Sequence, residues 1–275
     1  MTPVDCLVDG RPAQQVPLTD RGLQYGHGVF ETIAWTGGRA QFWQQHLQRM
    51  QRGCERLLIP MPEPARLWQE VKQVTAGHTG PAVVKITVTR GDSVRGYLAD
   101  SHSPARRIVC RFPWPERQSP AEGISLALCR QPVGYNPSLA GIKHLNRLEQ
   151  VLARQEWRST EFGEGVMLDQ QKHVISGTMS NVFVVKDDRL LTPALSGAGV
   201  EGVIRGVVLE LAEKLGIGPQ VAPVPLHQVD LCSEMFVTNS LIGICPVKRF
   251  NGKEFASPGE VTATLIEQLA DSLEQ

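Results

Sequence analysis

The chain has no apolar run approaching the roughly 20 residues that span a bilayer, so no segment reads as a membrane anchor. Met1-Thr-Pro-Val-Asp-Cys6 shows no charged leader followed by an apolar stretch, which argues against a secretory signal. Neither sign of charge is in excess: 28 basic residues meet 28 acidic ones, and no basic block stands out. That balance removes the electrostatic case for a nucleic-acid partner or an anionic membrane surface. Cysteines are few and scattered, at Cys6, Cys54, Cys110, Cys129, Cys232 and Cys245. They form no C-x-x-C pair and keep no metal-ligand spacing with a histidine, so no metal site is expected. The six are expected to be separate buried thiols in the reducing cytoplasm. Internal repeats and low-complexity tracts are missing too.

What remains is 275 residues with 41% hydrophobic content, enough for two modest cores. Pro113, Pro115 and Pro120, with polar residues between them, mark a linker over 115–123. The reading is an α/β (α+β) chain with an N-terminal lobe over 1–114 and a larger C-terminal lobe over 124–275.

Periodicity sets out the elements. Trp43, Leu47, Met50, Cys54 and Leu57 are spaced alternately by four and three residues, which predicts an amphipathic helix over 42–59. Pro60 and Pro62 end it, and a second helix is expected over 64–76. Ala82-Val-Val-Lys-Ile-Thr-Val-Thr89 is a β-branched strand, and strands are also expected at 29–35, 107–112, 124–129, 165–169, 181–185 and 234–240. Thr19 or Asp20 is placed to cap a short turn. Gly26 and Gly28 bracket His27 just before a strand, where glycines admit close approach of another backbone or simply make a turn. Further helices are expected over 201–215 and 260–273.

Two stretches invite chemistry. Gly197-Ala-Gly-Val-Glu-Gly202 is a literal G-x-G-x-x-G, but Pro193 interrupts the approach and no acid follows in 217–225, so the dinucleotide context is missing. A glycine turn opening a helix still presents free N–H groups to an anion such as phosphate; an ordinary helix start is the other reading. Lys143 precedes a run in which Leu145, Leu148 and Leu152 recur at helical spacing with Val151 alongside, so one face of that run is expected to be buried. A lysine at such a junction points either to water, as most lysines do, or into a pocket. A lysine and a phosphate grip are the two things pyridoxal phosphate requires.

Four stretches carry a resemblance: Leu23-Gln-Tyr-Gly-His-Gly-Val-Phe-Glu-Thr32, His46-Leu-Gln-Arg-Met50, Ala140-Gly-Ile-Lys-His-Leu-Asn-Arg-Leu-Glu-Gln-Val-Leu152 and Ala198-Gly-Val-Glu-Gly-Val-Ile-Arg205. In these the chain resembles the fold-type IV pyridoxal-phosphate enzymes, the group of branched-chain and D-amino-acid aminotransferases. The lysine stretch is similar to the group's lyase branch. The resemblance implies two α/β lobes with pyridoxal 5'-phosphate between them, and a homodimer. It implies that Lys143 bonds the cofactor's aldehyde and acts as the catalytic base. Arg49 and the N–H groups of Val203 and Ile204 would hold the phosphate, with Thr238 and Asn239 nearby. Arg95, with Arg90 as the other candidate in its loop, would meet substrate carboxylates. Tyr25, Thr32, Tyr97 and His27 would line the substrate pocket.

Two positions depart from the group's pattern. Its acid between the two glycines is His27 here. Its glutamate against the pyridine nitrogen is Ser176, in Val174-Ile-Ser-Gly-Thr-Met-Ser-Asn-Val-Phe183. The resemblance implies elimination of pyruvate from a small molecule, 4-amino-4-deoxychorismate, giving the folate precursor 4-aminobenzoate. An aminotransferase of the same fold and a non-catalytic cofactor-binding protein are the alternatives.

Overall fold

The computed structural model describes residues 2–100, 103–116, 121–158 and 160–274. The chain gathers into two compact units, one of Met1–Glu116 with Ile142–Asn146, the other of Arg117–Gly141 with Arg147–Gln275. The linker expected over 115–123 includes 117–120, which lie outside the described residues.

The first unit runs β1 (Asp5–Val8), β2 (Arg11–Pro12), α1 (Arg21–Tyr25), β3 (Gly28–Thr36), β4 (Arg39–Ala40), α2 (Trp43–Arg56), α3 (Pro64–Val74), β5 (Ala82–Thr89) and β6 (Arg106–Pro113). Its strands form one antiparallel sheet in the order β2-β1-β6-β5-β3-β4. β5 pairs along its whole length with β3 and β6, so its β-branched sequence sits at the sheet's centre, as its composition requires. α2 and α3 cover one face. There Leu47, Met50, Cys54, Leu67 and Val71 pack on Ile33, Val84, Ile86 and Val109. Each such fully buried aliphatic side chain contributes roughly 1.5–3 kcal/mol. The helix expected over 42–59 is therefore present and buries the stripe that defines it. Asp20 caps α1, its Oδ1 accepting from the N–H groups of Gly22 and Leu23.

One expectation about the cysteines is corrected. The register of β1 against β6 places Cys6 opposite Cys110, and the two are joined in a disulfide. Cys54, Cys129, Cys232 and Cys245 are free and buried, as expected.

The second unit runs β7 (Ile124–Leu128), α4 (Leu148–Arg154), β8 (Phe162–Leu168), β9 (His173–Gly177), β10 (Asn181–Lys186), β11 (Arg189–Pro193), α5 (Val203–Lys214), β12 (Gln220–Ala222), β13 (Val224–Pro225), α6 (Leu226–Val229), β14 (Glu234–Asn239), β15 (Gly243–Phe250), β16 (Lys253–Glu254) and α7 (Glu260–Glu274). Its sheet follows the path β12-β11-β10-β14-β15-β7-β8-β9-β13, with β16 paired to β15. The parallel pairs β15–β7 and β7–β8 sit within an otherwise mostly antiparallel arrangement. Val166, Val182, Val184, Met235, Val237 and Val247 form its core, and α5 and α7 pack against each other and on β14.

A second correction concerns the run after Lys143. Only Leu148–Arg154 is helical, and Leu148, Val151 and Leu152 are 68%, 51% and 48% exposed. The residue this helix buries is Ala153. The apolar stripe is real but faces outward, so helical spacing located the apolar face and misjudged what it meets.

Candidate active site

Lys143 is held by its backbone. The segment Ile142–Asn146 lies along the start of β3: the Phe30 N–H donates to the Lys143 carbonyl at 2.9 Å, and the Leu145 N–H donates to the Gly28 carbonyl at 2.9 Å. The two glycines around His27 make room for it. A Cβ on Gly28 would lie 2.6 Å from Leu145 Cδ1, and one on Gly26 would lie 2.3 Å from Asn146 Oδ1. Asn146 Nδ2 donates back to the Gly26 carbonyl at 3.1 Å. The close approach admitted by Gly26-His-Gly28 is thus that of the lysine segment itself. The Lys143 side chain is half-buried, its Nζ 4.5 Å from the centre of the Phe30 ring.

On the opposite face of β3, Glu31 is enclosed between Arg49 and His46 of α2. Arg49 Nε donates to Glu31 Oε1 at 2.9 Å, its Nη2 donates to Oε2, and His46 Nδ1 lies 2.6 Å from Oε2. All three residues are buried. Burial pushes the Glu31 carboxyl up, but Arg49 and His46 outweigh it and hold it at about 2. Burial also lowers the His46 pKa, against the pull of Glu31. Arg49 is therefore fixed by a two-point carboxylate contact, the geometry best suited to aiming a guanidinium. The sequence reading named Arg49 but missed Glu31. The signal was available: Glu31 sits at an inward position in the alternation of β3, where a carboxylate must have a partner.

The loop after β5 is tied down by arginines. Arg90 donates to the carbonyls of Ser103, at 2.6 Å, and Asp100. Arg21, which sequence reasoning did not single out, donates to Ser93 Oγ at 2.7 Å, to the Gly96 carbonyl at 2.9 Å and to the Tyr97 carbonyl at 2.6 Å. Arg106 bridges Asp20 and Asp92. The Arg90 head group thus serves the loop's own backbone, whereas Arg95 and Tyr97 are exposed on it. The Tyr25 ring meets the Tyr97 ring edge-on at 5.6 Å, and its hydroxyl accepts from the Gly96 N–H at 3.3 Å. His27 Nδ1 accepts from Arg21 Nε at 3.2 Å, and Nε2 lies 2.8 Å from the Leu57 carbonyl. That pairing makes Nε2 the protonated nitrogen. Burial lowers the His27 pKa, against the pull of the Leu57 carbonyl, so the ring stays neutral. Thr32 lies beside Lys85 on the face of the sheet that carries Phe30.

In the second unit, α5 begins at Val203 from a Gly202 cap that supplies no side-chain acceptor. A Cβ on Gly202 would lie 2.0 Å from Asn181 Oδ1. Asn181 Nδ2 donates to the Val200 carbonyl at 2.8 Å, which fixes the turn before the helix. Asn181 is paired with Thr238 across β10 and β14, and the buried Thr238 Oγ1 has no hydrogen-bond partner among the described residues. A turn built around Asn181 therefore brings a helix start and an unsatisfied hydroxyl into one unit, a donor set suited to an anion. Asn239 Oδ1 accepts from the N–H groups of Leu241 and Ile242, holding the turn into β15. Ser176 is buried in β9, next to Met167 of β8. Glu164, also buried on β8, accepts through its carboxylate oxygens from Thr178, Met179 and Ser180 of the turn into β10.

The first unit offers a backbone-pinned lysine and the second an anion-ready helix start, and the fold is of the class IV aminotransferase type. The amino-transferase class IV family model matches residues 28–250, and the chain belongs to that family. It is 38% identical over 252 residues to an aminodeoxychorismate lyase of Vibrio harveyi, covering 90% of this chain and 92% of that one. The crystal structure of 4-amino-4-deoxychorismate lyase from Pseudomonas aeruginosa superposes with a TM-score of 0.92 at 41% identity, over 98% of this chain and 100% of that one. A D-alanine aminotransferase of Listeria monocytogenes is 26% identical over 267 residues, covering 94% of this chain and 91% of that one.

Proposed function

We propose that the chain is a pyridoxal-phosphate enzyme that eliminates pyruvate from 4-amino-4-deoxychorismate to give 4-aminobenzoate. The observation that carries this is the pair of lyases matched over nine-tenths or more of the chain at 38% and 41% identity, against 26% for the D-alanine aminotransferase. The residues present fit the cofactor. The uncapped start of α5, the close space at Gly202 and the unsatisfied Thr238 hydroxyl suit its phosphate. Val203 and Ile204 would hold the phosphate through their N–H groups, with Thr238 nearby and Arg49 supplying charge. Lys143 would bond the aldehyde. When bound, the cofactor supplies an electron-withdrawing ring that takes up the electrons of a breaking C–H bond.

Lys143 Nζ removes the proton from the ring carbon that bears the amine. The neighbouring C–O bond breaks, and the ring becomes aromatic. The same nitrogen returns a proton to the departing enol carbon, giving pyruvate. Ser176, a neutral hydroxyl where the group has a carboxylate, does not compel a protonated pyridine nitrogen. A weaker electron sink suffices for an elimination with a good leaving group and disfavours transamination.

We further propose a homodimer and a cytoplasmic location. The outward apolar face of α4 supports the first; the second rests on the sequence reading alone, and the Cys6–Cys110 disulfide stands against it. The test is to supply 4-amino-4-deoxychorismate and measure products: 4-aminobenzoate and pyruvate should appear in equal amounts, and absence of both overturns the reading. Lys143→Ala should lose far more than the roughly 10²–10⁴-fold of proton transfer alone, because it also removes the cofactor's covalent anchor.

A further inference from the structure

At position 27 an imidazole stands between Gly26 and Gly28, where the group has an acid. Both sides of the ring are used. Its Nε2–H donates to the Leu57 carbonyl at the end of α2, 2.8 Å away, and its Nδ1 accepts from Arg21 Nε at 3.2 Å. Arg21 is 2% exposed, its guanidinium 4.8 Å from the centre of the Tyr25 ring. It turns its other nitrogens to the loop after β5. Nη1 donates to Ser93 Oγ and the Gly96 carbonyl, and Nη2 donates to the Tyr97 carbonyl. Tyr25 adds its hydroxyl, which accepts from the Gly96 N–H, and its ring, which meets that of Tyr97. The foot of the loop has separate ties: the Arg21 N–H donates to the Gly91 carbonyl, the Ser93 N–H donates to the Thr19 carbonyl, and Asp92 pairs with Arg106. The guanidinium therefore holds the tip of the loop, and one imidazole nitrogen helps to fix the guanidinium.

The groups that face the ring are two guanidiniums, Arg21 of α1 and Arg90 just after β5, and the Leu57 carbonyl; no carboxylate is bonded to it among the described residues. An acid at this position would keep accepting from Arg21 at any pH near neutrality. An imidazole accepts at Nδ1 only while it is neutral. A second proton takes up that lone pair and sets a cation against Arg21 and Arg90. Burial lowers the His27 pKa from 6.5, and the charges of Arg21 and Arg90 add to it against the pull of the Leu57 carbonyl, so the ring is neutral at pH 7 and gains its proton in mild acid.

We infer that Arg21 is the positioning residue for the tip of this loop, residues 94–98, and that His27 makes the clamp respond to pH, closed while the imidazole is neutral and released when it is protonated. The clamp stands apart from the reaction proposed above. Its effect on substrate rests on that reaction, because the tip carries Arg95 and Tyr97, which are expected to meet the substrate.

Hydrogen–deuterium exchange of the cofactor-loaded wild type, His27→Asp and His27→Asn, followed by mass spectrometry from about pH 5 to 8, tests the clamp, with each rate corrected for the pH dependence of exchange in an unfolded peptide. In the wild type the peptide carrying Gly96 and Tyr97 should exchange about tenfold faster at the acid end, the ratio set by the loss of one hydrogen bond from a charged donor. His27→Asp keeps a charged acceptor over this range, and His27→Asn keeps an amide oxygen that does not titrate, so both should remove the change. A peptide from β5 should stay protected throughout, which excludes global unfolding. The KM for 4-amino-4-deoxychorismate should rise over the same interval in the wild type and not in His27→Asp. Loop exchange that does not change with pH in the wild type, or that changes equally in His27→Asp and His27→Asn, would overturn the clamp. Exchange that switches as expected while KM stays level would keep the clamp and overturn its effect on substrate. Exchange that switches in a wild type with no turnover would keep the clamp and count against the reaction alone.

Discussion

At position 31 a carboxylate is closed off from water between a guanidinium and an imidazole, and its acidity follows from that enclosure. The Glu31 carboxyl is held at about 2 in the folded chain, below its ordinary value of 4.5. A depressed carboxyl stabilises the fold above its unfolded pKa and loses that contribution as pH falls toward the folded one. His46 acts in the same direction at higher pH: its pKa is lowered from 6.5, so the unfolded chain takes up its proton first. Urea unfolding should therefore show stability falling below about pH 6.5 and falling further between about 4.5 and 2. Glu31→Gln should cost about 3–5 kcal/mol near neutral pH, because it leaves the Arg49 charge buried without its carboxylate. A loss below 1 kcal/mol would show that the pair does not hold this region. Lys143, Arg49 and Ser176 are singled out in the chain by motifs. Glu31 and Arg21 are not, because their importance comes from pairing across strands and loops that local spacing does not encode.

Among the elements, α2, α3, β5 and α5 follow from periodicity, since each buries one regular stripe or lies wholly inside a sheet. β9 was not among the expected strands: Val174-Ile-Ser-Gly177 is short and ends in small residues, a weak strand signal. α4 was misjudged because Leu148, Val151 and Leu152 have core-like spacing and an outward face. An exposed apolar stripe on a short helix is better explained by a second subunit than by solvent. Analytical ultracentrifugation should find the wild type dimeric, and a Leu148→Glu, Leu152→Glu double substitution should shift it to monomer with its circular dichroism spectrum preserved. An identical mass for both forms would remove α4 from the interface.

For the whole molecule, the α/β class and membership of the class IV aminotransferase family could be read from motifs spread over nearly the full chain. The grouping of Ile142–Asn146 with the first unit could not, since it depends on backbone pairing with β3 that glycines merely permit. The same fold serves lyases and aminotransferases, so the fold does not decide the reaction. On the proposal above Ser176 does, by moderating the electron sink. Ser176→Glu should change the pH dependence of the cofactor's absorbance and raise keto-acid exchange relative to elimination; an unchanged spectrum and ratio would dismiss Ser176 as a determinant.

The most direct measurement places 4-amino-4-deoxychorismate, D-alanine, a branched-chain amino acid and 2-oxoglutarate in one reaction with the cofactor-loaded wild type. 4-Aminobenzoate is followed against glutamate, the product of amino-group transfer. 4-Aminobenzoate should form with little or no glutamate. Glutamate as the main product, with no 4-aminobenzoate, would contradict it.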